Sequence, residues 1–361
     1  MSRTVSPAEL PVITQDVAAQ IEEALIAGDW AEVERVASAW RQTSQQAIEP
    51  AHDPRPAFAL NVVHLLRGNI AQAWSLHEES LAEAEDIERV RAWLADIHAR
   101  RGDNGLLHLV TGLFLSQSGE SEQSIASFKQ AMTLLPSSPH PHFFCGQIME
   151  RAGRPDMAIK EYREAVRLGP DFLAARTSLG ALYQMQGQLE LALPQFREVV
   201  KQRPGDAVAR VALACALAVQ GKFEPALTEY KEAVRLDPTN AELHCGLGKF
   251  YEDRGRNELA MQEYRAATQH DPDFAPAYVA IGWLLLQKRK MNDAMESFNR
   301  ALRADPNQGR AYLGIGKIYA AHGKTEVAME NYSKALSLEK DPHAKNSIMN
   351  ELYMEGTTWD T

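Results

Sequence analysis

Residues 241–274 read AELHCGLGKFYEDRGRNELAMQEYRAATQHDPDF. Leu247, Phe250 and Tyr251 recur at helical spacing, which predicts a first helix from about Ala241 to Asp253 with one apolar face. Gly255 suits a turn where the backbone needs positive φ. A second helix follows to about His270. Ala260 and Ala267 stand two turns apart on one of its faces and permit close packing, and Tyr264 fills the space between the helices. Gly248 has no side chain, so a neighbouring helix can come close. Pro272 cannot continue a helix and disfavours helical geometry in Asp271, so the second helix stops there.

This hairpin repeats. Pro136, Pro170, Pro204, Pro238, Pro272 and Pro306 stand 34 residues apart without a slip. The same period carries Gly146, Gly180, Gly248, Gly282 and Gly316. It also carries the rings of Phe128, Tyr162, Phe196, Tyr230, Tyr264, Phe298 and Tyr332, and a run of alanines from Ala158 to Ala328. One such pair of helices cannot bury its apolar face alone; stacked neighbours can.

Seven units in register, 105–138, 139–172, 173–206, 207–240, 241–274, 275–308 and 309–342, resemble the tetratricopeptide repeat from end to end. The resemblance implies an all-α fold, a right-handed α-solenoid of antiparallel helix pairs. It also implies that helix A of each repeat lines a concave groove, with its second, fifth, ninth, twelfth and thirteenth places facing inward. The candidate groove residues are then Phe143, Gln147, Met185, Cys215, Cys245, Lys249, Asp253, Trp283, Gln287, Arg310 and Lys317. Leu106, Leu109 and Leu113 make the amino end apolar. Thr177, Ala181, Val208, Val211 and Val219 keep the middle uncharged, and charge enters later with Glu242 and Glu252. Trp283 is the expected anchor, since tryptophan dominates many interfaces. The competing account is that Trp283 and Phe143 pack against neighbouring helix-A side chains.

Two binding modes known in the family find no match. The Lys and Asn pair that clasps chaperone C-termini is absent from the fifth and ninth places, so no chaperone carboxylate clamp is expected. The sixth places, Val110, Phe144, Ser178, Ala212, Gly246, Ala280 and Gly314, hold no asparagine ladder. An apolar trough favours an amphipathic helix or a compact domain as guest.

Some units depart from the pattern. Arg289 replaces a turn glycine, Ala214 a helix-A glycine and Lys340 a terminal proline; Ser124 and Thr111 mark an atypical first repeat. Pro194 lies deep enough in its helix to distort the first turn. Residues 343–355 read as a capping helix with Ile348, Leu352 and Tyr353 on one face, and 356–361 as a tail.

Residues 1–104 form a divergent helical N-terminal region. Helices are expected at 15–27 and 31–48 around Gly28-Asp29, at 57–67 and 70–85 around Gly68-Asn69, and at 86–101, with PAHDPRP (50–56) as a break. These are read as degenerate repeats packed on the array, or as a separate helical domain. A further possibility is that the first twelve residues occupy the groove.

The chain carries 38 Lys and Arg against 48 Asp and Glu, a net charge of −10. Residues 1–104 hold 17 of the acids and 9 of the bases. That balance disfavours general nucleic-acid binding and docking on acidic lipid. No apolar run is long enough to span a membrane, and the start lacks a secretory layout, so a cytoplasmic location is expected. Three cysteines are no disulfide framework. CGLGKFY (245–251) and LGIGKIY (313–319) lack phosphate-loop spacing. His140, His142, His244 and His270 show no zinc pattern and read as packing residues; Cys215 and Cys245 read as small groove-lining residues rather than a metal pair. No nucleophile elbow appears. The sequence therefore predicts a non-enzymatic scaffold, adaptor or assembly factor with a protein or peptide partner, no cofactor, no metal and no catalytic residues. The alternatives are a noncatalytic regulatory subunit and, disfavoured, an enzyme with a site in 1–104.

Overall fold

The computed structural model describes residues 13–45, 53–67, 72–73, 75–77, 81, 83–340 and 345–349, and all regular structure among them is helical. The chain forms two compact units, Met1–Gly187 and Gln188–Thr361. The boundary falls between the two helices of repeat 173–206.

The first unit contains α1 (Ile13–Ala27), α2 (Trp30–Gln45), α3 (Pro54–Arg67), α4 (Ala84–Arg101), α5 (Gly105–Gln117), α6 (Ser121–Leu134), α7 (His140–Arg151), α8 (Pro155–Leu168) and α9 (Leu173–Met185). The second contains α10 (Leu189–Gln202), α11 (Ala207–Val219), α12 (Phe223–Leu236), α13 (Ala241–Asp253), α14 (Asn257–His270), α15 (Ala275–Gln287), α16 (Met291–Ala304), α17 (Gly309–Ala321) and α18 (Thr325–Leu338). Within each unit, the helices of one repeat pack as antiparallel neighbours, and each second helix packs on the next repeat.

The repeat glycine and the repeat aromatic are one device. A Cβ on Gly248 would stand 2.7 Å from the Tyr264 ring, and one on Gly146 would stand 2.6 Å from Tyr162. Gly282 and Gly314 both face Phe298 in the same way. The ring lies against bare backbone, so helix A and helix B approach more closely than a methyl group allows. Tyr162, Tyr264 and Tyr332 are fully buried as a result. The phenol still needs a partner. Tyr264 donates to Glu252 at 2.6 Å and Tyr162 to Glu150 at 2.7 Å. Where the matching place holds Ala218, Tyr230 instead meets the Cys215 Sγ at 3.0 Å.

Turns follow the same logic. Gly119, Gly153, Gly221, Gly255 and Gly323 all take positive φ, and Arg289 takes φ 59° in the glycine's place. An L-residue in that region costs about 1–2 kcal/mol. Pro194 leaves α10 continuous, so the expected distortion does not end the helix.

A second set of contacts ties the repeats together and was not foreseen. His142 Nδ1 lies 2.8 Å from Glu161, Arg210 Nη1 donates to Glu229 at 2.6 Å, and His244 Nδ1 lies 2.7 Å from Glu263. Arg210 and His244 also reach the carbonyls of Pro204 and Pro238 in the preceding link. All three clamps join helix A to helix B, and those of Arg210 and His244 also hold the connection before them. The signal was available: a histidine or arginine and a glutamate recur 19 residues apart in three repeats.

The N-terminal helices belong to the first unit. α1 and α2 form a hairpin around Gly28, at φ 71°, and α1 packs on α3 and α5. The stretch expected as a break is partly helical. Pro54 starts α3, and Asp53 accepts the Arg55 backbone N–H at 3.0 Å. Proline is tolerated in a first turn because that N–H has no helical partner. Of the expected helix 70–85, residues 72–73 and 75–77 are helical and the rest is largely outside the described residues. At the other end, residues 345–349 are helical and Ile348 is buried against Ala328, Tyr332 and Ala335. Leu352, Tyr353 and the tail lie outside the described residues.

Candidate functional site

The five groove places of helix A are not equivalent. Their exposure varies from place to place and from repeat to repeat. Phe143, at place five, is only 3% exposed, and its ring packs 5.7 Å from Tyr162 and 4.9 Å from Phe172. It belongs to the core of the first unit and offers a partner almost no surface. Gln147 is half-buried, while Met185, at place thirteen, is 80% exposed.

In the second unit the second and thirteenth places of α11 are Val208 and Val219, 72% and 64% exposed. Val211 and Cys215 lie between them, half-buried. Helical geometry sets residues 208, 211, 215 and 219 in one stripe. The sequence AVARVALACALAV leaves nothing polar to cover it, since its one charge, Arg210, is held by Glu229 and Pro204.

α13 lies beside α11. Lys249 and Asp253 are exposed there and pair at 2.8 Å. Cys245 is half-buried next to Ala241, Ala267 and Ala277. Burial pushes its thiol up to about 11, and the nearby Glu252 and Glu242 carboxylates add to the effect. All three cysteines are free thiols. Among the described residues no group of three or more His, Cys, Asp or Glu is placed to hold a metal ion.

Trp283 is half-buried. Its ring meets Phe298 edge-on at 5.8 Å, and the Arg310 guanidinium stands 5.8 Å from its centre. The indole N–H is buried without an acceptor among the described residues. Much of this tryptophan is thus spent on intramolecular packing. Gln287 and Arg310 are exposed and Lys317 is half-buried.

Two adjoining clefts of about 420 and 540 Å³ lie in the N-terminal region, sharing Arg55, Trp93 and Asp96. Their charges are paired with one another. Arg100 donates to both oxygens of buried Glu22 at 2.8 and 2.7 Å and also meets Asp96, and Arg55 pairs with Asp53.

Tetratricopeptide-repeat profiles match residues 146–207, 241–274 and 279–345, and a TPR repeat profile matches residues 215–253. The chain belongs to the tetratricopeptide-repeat family. Two solved structures, with TM-scores of 0.60 and 0.58, agree on the fold of this tetratricopeptide-repeat protein. Yeast Tom70 is 12% identical, aligns over 98% of this chain and 90% of its own, and gives a TM-score of 0.60. A tetratricopeptide repeat protein from Parabacteroides merdae ATCC 43184 is 17% identical over 69% of this chain and 97% of its own, with a TM-score of 0.58. MamA 41-end from Desulfovibrio magneticus RS-1 is 22% identical over 48% of this chain and 98% of its own, with a TM-score of 0.45. No curated protein sequence is significantly similar to the chain. Membership of the family gives the coarse function, a scaffold for protein–protein interaction. No helix among the described residues is long and apolar enough to cross a membrane.

Proposed function

We propose that this protein is an adaptor or assembly factor that holds a partner protein on the helix-A face of its second unit. One observation carries the reading: α11 displays Val208 and Val219 to solvent on a helix with no polar side chain to spare. Exposed valines at both ends of one stripe cost solubility and contribute nothing to the core, so a partner surface is the reason to keep them. Lys249, Asp253, Gln287 and Arg310 on the following helix-A segments supply polar contacts around this apolar centre, the usual anatomy of an interface.

The test is affinity purification from the native host. Val208→Asp with Val219→Asp is compared with wild type and with Leu259→Asp, a substitution at an exposed site on helix B. The reading expects the main partners to fall at least about tenfold for the double variant and to persist for Leu259→Asp. Equal recovery with the double variant would overturn it.

A further inference from the structure

The apolar stripe on α11 does not stand alone: the helix beside it carries uncompensated acid. At the groove places of α13 stand Glu242, Cys245, Lys249, Glu252 and Asp253. Lys249 is taken by Asp253. Glu252 accepts the Tyr264 hydroxyl, which supplies no positive charge. Glu242 lies at the exposed second place, and among the described residues neither it nor Glu252 has an ion-pair partner. Two carboxylates without a cation thus stand on the helix packed beside the strip of valines. Burial raises the Cys245 thiol, and Glu252 and Glu242 push it the same way.

We propose that the guest of this face is a basic amphipathic helix from another protein, its apolar edge on Val208, Val211 and Val219 and its Lys or Arg side chains on Glu242 and Glu252. This rests on the helix-A face being the partner surface at all. From Val208 to Val219 is eleven residues, about 16 Å along the helix, enough for about three turns of a guest helix. Charge decides against two guests of the chain's own sequence, its last twelve residues and a second copy. Its last twelve residues, NELYMEGTTWDT (350–361), hold three acids and no base. A second copy brings a net charge of −10 to an acidic face. Both meet repulsion where a basic helix meets attraction.

The experiment titrates the full chain with two synthetic helical peptides that share one leucine edge, one flanked by lysines and the other by glutamates. The lysine peptide is expected to bind about tenfold tighter at low salt, with the preference shrinking as salt rises. Glu242→Gln with Glu252→Gln removes most of that preference, while glutamine still accepts the Tyr264 hydroxyl. Val208→Asp with Val219→Asp, both exposed and confirmed folded by circular dichroism, weakens whichever peptide wild type binds. Equal or tighter binding of the glutamate peptide, a preference that survives the glutamine variant, or no binding of either peptide overturns the basic guest. If the glutamate peptide binds and the aspartate variant loses it, the partner face stands and only its charge assignment falls. If the aspartate variant binds as wild type does, the face itself is wrong.

Discussion

At the scale of single residues, the repeat is governed by a missing methyl group. A glycine in a helix interior normally costs about 1 kcal/mol relative to alanine. Here the gain from alanine is opposed by an aromatic ring 2.7 Å from where its Cβ would stand. Overpacking of that kind costs about 1–3 kcal/mol. Gly248→Ala is therefore expected to destabilise the second unit by up to about 2 kcal/mol, despite its better helix propensity. Urea unfolding measures this, and an unchanged or higher midpoint would show that Tyr264 can move aside. The glycine period was plain in the sequence, but its target was not. The ring it faces belongs to the same repeat, 16 residues on, and only packing reveals that Gly314 shares Phe298 with Gly282.

At the scale of elements, helix limits were legible because each has a chemical cause. Asn240 accepts the backbone N–H groups of Glu242 and Leu243, so α13 begins at Ala241 as its pattern implies. Where proline clusters, the pattern was misleading: 50–56 reads as a break, yet Pro54 opens α3. The sequence shows which residues cannot sit inside a helix, but a first turn is exempt. The terminal element makes a prediction of its own. Ile348 covers Ala328, Tyr332 and Ala335. Ile348→Ala should lower stability by about 2 kcal/mol, at the low end for a buried isoleucine because its helix is short. Amide exchange should quicken in α18 first. If exchange there were unchanged, the last repeat would need no such cover.

At the scale of the whole molecule, the two units differ in how they respond to acid. His98 is held below its ordinary 6.5 by burial and by the neighbouring His108, and half-buried His140 by burial. Both lie in the first unit. A histidine with a lowered folded pKa is stabilising above about 6.5, where it is neutral in both states; that stability is lost as pH falls through the folded value, because the unfolded chain takes the proton first. Amide exchange between neutral pH and about pH 5 should therefore show residues 13–187 losing protection before the second unit. His140→Asn should reduce the difference. Loss beginning in the second unit would contradict the assignment.

The amino-acid sequence alone determined the helix pairs, their period and their family, because a 34-residue pattern of glycine, ring and proline is a local constraint restated in every copy. It could not rank the helix-A places, since exposure depends on how near each place stands to helix B and to the next repeat. Phe143 and Val208 both read as groove residues; packing buries the first and leaves the second 72% exposed. Nor could it separate paired from unpaired charge: Lys249 and Glu252 look alike as solvated groups until Asp253 and Tyr264 are seen to hold them. Those decisions belong to distances across helices, and only the tertiary structure contains them.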